Sequence, residues 1–211
     1  MTRGRTTDVG IHDERLLTPA TVVTVVRTVA SLGTSLLAAA EGSLRLLVVA
    51  LVVYWVGDIL DGAVARWRGC ETRIGAVLDI LSDRLNCAGF YFGVCWIEPS
   101  AALPVGIYLL SFMVVDTFLS LAFLAWPIRS PNYFYAVDER IWRWNWSKPA
   151  KAVNSALFAV FLLVDGLWWV ALAMAVALLV LKTVSLSWLV RLGLPVPGGR
   201  PVDRPGSVPA R

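Results

Sequence analysis

A chain of 211 residues that is 57% hydrophobic and only 16% charged is too apolar for a soluble domain, where charged residues run at roughly 25%. Its mean hydropathy of +0.68 and its several apolar windows of about 20 residues, each long enough to cross a bilayer, predict one all-α integral membrane bundle. The formal net charge of +4 sits in the loops, with no basic patch interleaved with aromatics, so it speaks for membrane topology and against nucleic acid as a partner.

Residues 1–17 read as a short polar segment. Arg3 and Arg5 precede the first apolar run, but no small-residue cleavage site follows it, so no cleaved signal peptide is expected. The first span is predicted over 19–41, opening at Pro19, a good first-turn residue, and carrying Arg27. A Glu41-Gly42-Ser43 turn leads to a second span over 44–66, and a basic loop over 66–73 leads to a third over 74–97. Glu98-Pro99-Ser100 precedes a fourth span over 101–126. The long connection over 127–147 holds Pro127, Pro131, Trp142, Trp144 and Trp146; tryptophan favours the bilayer interface, so an amphipathic lid on the membrane is expected there. A fifth span over 149–164, a tight turn at Asp165-Gly166 and a sixth span over 167–190 follow. The membrane domain is thus expected over 1–193, with a Pro-, Gly- and Arg-rich disordered tail over 194–211. Cys70, Cys87 and Cys95 have no metal-ligand spacing and imply no disulfide framework.

Six spans place both termini on one side. Arg15, Arg66, Arg68, Arg73, Arg129, Arg140, Arg143, Lys148, Lys151 and Arg191 fall there together with the terminal arginines, and Arg45 alone falls opposite. The positive-inside rule therefore predicts a multi-pass cell-membrane protein with cytoplasmic termini.

The stretch 58–83 breaks the apolar pattern. Asp58 and Asp61 stand three apart near the end of the second span, and Asp79 and Asp83 four apart near the start of the third. Such spacings put side chains on one helix face, so the two helices can converge four carboxylates. A charge within a span costs roughly 2.5–3.5 kcal/mol on insertion scales, which makes intramembrane carboxylates functional candidates. Oxygen-only ligands suit a hard divalent cation such as Mg²⁺ or Mn²⁺, and two such metals form a clamp suited to displacement at phosphorus. Gly62, Ala65 and Gly75 allow close approach on these faces, and Arg66 adds a fixed positive charge.

The same stretch matches D-x2-D-G-x2-A-R-x8-G-x3-D-x3-D at every fixed position, and by this signature the chain resembles the CDP-alcohol phosphotransferases. The resemblance implies transfer of a substituted phosphate from a CDP-linked lipid, usually CDP-diacylglycerol, to an alcohol with release of CMP. It further implies a two-metal site on Asp58, Asp61, Asp79 and Asp83, with Asp83 also the general base. It places Gly62, Ala65, Arg66 and Gly75 around the CDP moiety and suggests a homodimer.

For the acceptor, Thr21, Thr24 and Arg27 resemble the Asn-Thr-Arg series on the first helix of the glycerophosphate-using branch, with Thr21 in place of the asparagine. Lys148, Lys151 and Asn154 fall near a Lys-rich run of that branch, and Asp116 falls where it carries an Arg-Glu pair. Basic residues expected of inositol phosphate synthases are missing there. Arg27, Asp116, Lys148 and Lys151 are thus expected on the acceptor side, with glycerol 3-phosphate, phosphatidylglycerol or another polar alcohol as acceptor. The competing reading is a non-enzymatic divalent-cation transporter. It requires polar residues continuing to the outer face, where spans two to four are nearly all apolar.

Overall fold

The computed structural model describes residues 14–164 and 166–195. Most of the expected 194–211 tail, the start of the N-terminal segment and Asp165 lie outside the described residues. Among those described, the chain is helical and contains no strand. Helix α1 is Pro19–Glu41, α2 is Leu44–Arg68 and α3 is Arg73–Ile97. Helix α4 is Pro99–Ala125, α5 is Glu139–Asn145, α6 runs over 148–163 and α7 is Trp168–Leu192.

Local signals set these boundaries. The Thr18 hydroxyl accepts from the Thr21 amide (3.2 Å) and the Thr21 hydroxyl accepts from the Thr18 amide (2.8 Å), a reciprocal cap that starts α1. Gly69, at φ 61°, ends α2 by donating to the carbonyls of Ala65 and Arg66. Three residues later Thr72 caps α3 by accepting from the Gly75 amide at 3.0 Å. The Glu14 carboxylate accepts from the amides of Arg73 and Ile74 (3.1 and 2.8 Å), which ties the start of the described chain to the same end of the bundle.

Helix α1 is amphipathic with its polar face inward. Thr21, Thr24, Arg27, Thr28, Ser31 and Ser35 are buried, while Val22, Val25, Val26, Val29, Leu36 and Leu37 are exposed. That inversion suits a lipid environment, where packing relies on small residues and hydrogen bonds rather than on hiding apolar area. The close approach of helices is visible at three glycines. A Cβ at Gly57 would lie 2.5 Å from Arg27 Cβ, one at Gly89 2.5 Å from Leu32 Cδ1, and one at Gly93 2.6 Å from Leu47 Cδ2.

Helices α1, α2, α4 and α7 are long and apolar enough to cross a membrane. Helix α3 is as long as α2 but carries Arg73, Asp79, Asp83 and Arg84, and α6 falls short of the roughly 20 residues a span needs. Over the described residues the chain is thus an all-α membrane protein with four spans evident from length and composition.

Two apolar clusters close the bundle. One is built on Leu47, Leu51, Phe90, Tyr91, Tyr108 and Phe158, the other on Ile80, Leu119, Phe123, Phe134, Ile141 and Leu189. The second absorbs much of the connection expected to lie on the membrane. Phe134 and Ile141 are fully buried, and Trp146 is buried with its ring 5.0 Å from that of Phe134. Trp146 is therefore a core residue, whereas Trp144 stays exposed.

Candidate active site

Between the two clusters, α2 contributes Asp58 and Asp61, α3 contributes Asp79 and Asp83, and α1 inserts Arg27 among them. Arg27 Nε donates to Asp61 (2.7 Å), and Nη2 donates to Asp79 (2.6 Å) and Asp83 (2.9 Å) and lies 3.4 Å from Asp58. The Thr24 hydroxyl, one turn away, donates to the same Asp61 oxygen at 2.8 Å. The Arg27 side chain is only 2% exposed, and its guanidinium lies 5.4 Å from the centre of the Tyr54 ring. Arg27, expected on the acceptor side, is in the structure the counterion of all four motif aspartates.

The cluster fits a divalent metal. Oxygens of Asp58, Asp61 and Asp79 lie within 4.8 Å of one another, every donor is a carboxylate, and such sets favour hard cations. One guanidinium against four carboxylates, of which only Asp61 is buried, leaves an excess of negative charge that further cations or protons would offset.

Two polar cavities meet at these carboxylates. The first is lined by Asp61, Asp79 and the other fixed residues of the motif, Gly62, Ala65, Arg66 and Gly75. Its glycines have definite tasks. A Cβ at Gly62 would stand 3.1 Å from Arg66 Nη1, so the missing side chain leaves room for the guanidinium to lie back along α2. A Cβ at Gly75 would stand 2.7 Å from Thr72 Oγ1, the atom that caps α3.

The second cavity is lined by Asp58, Asp79 and Asp83 together with Arg84, Asp116, Asn145, Lys151, Asn154 and Lys182. Arg84 pairs with Asp116 (2.6 Å), not with the neighbouring motif aspartates, and its guanidinium lies 3.6 Å from the centre of the Phe112 ring. Lys182 binds the other oxygen of Asp116 (2.6 Å) and donates to Asn145 (2.9 Å). Asp116 is therefore held in a buried network rather than free in the cavity. Two π-helical turns, Leu110–Asp116 and Ala152–Leu157, carry Asp116 and Asn154; such turns shift side chains out of the regular helical register and recur at functional sites. Lys151 reaches this cavity, whereas Lys148 is exposed and lines neither one.

Gly57, Tyr54 and Asn145 were not singled out from the sequence. Only Gly57, a glycine directly before the first motif aspartate, offered a local signal.

Over residues 17–183 the chain matches the CDP-alcohol phosphatidyltransferase family. It is 43% identical over 82 residues to the phosphatidylinositol phosphate synthase of Mycobacterium tuberculosis (strain ATCC 25618 / H37Rv), a match covering 38% of this chain and 36% of that protein. Similar matches are to the phosphatidylinositol phosphate synthases of Mycobacteroides abscessus (40% over 79 residues; 37% of this chain, 36% of the relative) and Mycolicibacterium smegmatis (39% over 80 residues; 38% and 36%). The matched part thus spans about a third of the curated relatives' length. No solved structure matches the chain.

Proposed function

Because the chain belongs to the CDP-alcohol phosphatidyltransferase family, we propose that it transfers a phosphatidyl group from CDP-diacylglycerol to a polar alcohol in phospholipid synthesis, releasing CMP. The observation that carries this reading is the convergence of four motif aspartates from two helices at the junction of two polar cavities. The first cavity takes the CDP moiety, with Arg66 toward its phosphates and the small residues Gly62, Ala65 and Gly75 letting the nucleotide approach the backbone. The acyl chains remain in the bilayer. The second cavity takes the acceptor and presents its hydroxyl to Asp83.

Asp83 takes the hydroxyl proton as the oxygen attacks the phosphorus that carries the diacylglycerol. The bond from that phosphorus to the oxygen shared with CMP breaks, and CMP leaves. Asp58, Asp61, Asp79 and Asp83 would hold two Mg²⁺ or Mn²⁺ ions, which supply charge neutralisation at the diphosphate. Arg27 keeps the carboxylates together, and Thr24 fixes Asp61.

Glycerol 3-phosphate and phosphatidylglycerol are the acceptors for this cavity, which Lys151 borders, and the relatives' printed name adds an inositol-containing acceptor. Six spans, with α6 the shortest, and a homodimer follow the family resemblance, and the basic residues gathered around the motif support an active site that faces the cytoplasm. Asp83→Asn tests the site directly. Removing a general base is expected to lower CMP release by about 10²–10⁴-fold, with CDP-diacylglycerol binding largely retained; CMP release at the wild-type rate would remove Asp83 as the base.

A further inference from the structure

We propose that Arg129, which lies outside the motif, is a second cation for the donor's diphosphate. The inference rests on the donor reading above. Arg129 follows α4 and lines the first cavity together with Arg66. The adjoining Ser130 and Asn132 line both cavities, so this short segment stands at the boundary where the transferred phosphate must lie.

The segment is anchored on every side. Arg73 donates to the carbonyls of Leu124 and Trp126 at 2.6 and 3.3 Å, and Ile128 is buried. Trp142 Nε1 donates to the Asn132 carbonyl (2.9 Å) and Lys151 Nζ to its side-chain oxygen (2.6 Å). The Tyr133 hydroxyl donates to Glu71 at 2.7 Å. Partial burial and this bond push the Tyr133 phenol up to about 12, so it remains a donor at neutral pH. So fixed a backbone needs no ordering of the loop when Arg129 binds.

The charges around it direct the choice of ligand. Arg27 and Arg84 are committed to aspartates and Arg143 to Glu139. No carboxylate among the described residues pairs with Arg129, which is half-buried in the cavity wall. Glu71, an acid on the same wall, is already bound by Tyr133. An arginine so placed, beside a second arginine, matches a diphosphate, whose oxygens accept paired guanidinium hydrogen bonds.

The test uses the full-length protein in detergent with Mn²⁺, measuring CDP binding by calorimetry and cytidine as a competitor. Arg129→Ala is expected to weaken CDP about tenfold, the loss of a charge-assisted hydrogen bond, and to leave cytidine unchanged. The KM for CDP-diacylglycerol should rise in parallel while kcat holds, and Arg129→Lys should recover part of the loss. Unaltered CDP binding in Arg129→Ala, or an equal weakening of cytidine, overturns the assignment alone. Wild-type protein that binds no CDP overturns the donor reading and this assignment with it.

Discussion

Arg27 is the residue on which the carboxylate cluster depends. Removing one partner of a buried ion pair costs about 3–5 kcal/mol, because the other charge is left uncompensated, and here one side chain compensates four. Arg27→Gln is expected to lower the thermal midpoint strongly in EDTA, with much of the loss restored by Mn²⁺, which can replace the missing positive charge. An unchanged midpoint in EDTA would show that the aspartates do not need the arginine. At this scale the motif aspartates were legible because their spacing alone places them on facing helix sides. The Arg84–Asp116 pair was not, although Lys182 could be named from the sequence as a partner for Asp116. Asp116 lies 32 residues beyond Arg84 in the chain, and a single polar residue in an apolar span does not name the residue it will meet. Arg84 and Lys182 together satisfy both carboxylate oxygens of Asp116.

Helices α1 and α2 meet where Gly57 passes the Arg27 stem, so their packing sets the reach of the guanidinium. Gly57→Ala ordinarily favours a helix by about 1 kcal/mol, but the new Cβ would overlap α1, and overpacking costs about 1–3 kcal/mol. The substitution should therefore lower both stability and CMP release. Gly33→Ala, on α1 with nothing within 4 Å of the added atom, serves as the control and should leave both intact or slightly raised. Equal behaviour of the two variants in thermal unfolding would contradict the packing argument. The helices themselves were legible to within a few residues, since long apolar runs end at Gly, Pro and capping Ser or Thr. The two π-helical turns were not, because an extra residue in a helical turn answers to side chains on neighbouring helices rather than to local sequence. The 127–147 connection was also misread in part: its aromatic residues suggested the membrane surface, yet Phe134, Ile141 and Trp146 close a core cluster above the site.

Across the whole molecule, a polar seam runs through an apolar bundle. On one side of the aspartates is a cleft of small residues and arginines, on the other a cavity with Arg84, Lys151 and Lys182. This division matches a reaction with two substrates, one held by its nucleotide and one by its alcohol end, and it fits a cation-transport path poorly. On the proposed function, the two cavities serve one phosphatidyl transfer. Purified full-length protein, supplied with CDP-diacylglycerol and Mg²⁺ or Mn²⁺ and a panel of alcohols including glycerol 3-phosphate, phosphatidylglycerol and inositol compounds, should release CMP only when a suitable alcohol is present, and chelation of the metal should stop it. Absence of acceptor-dependent CMP with every alcohol and either metal would contradict the account.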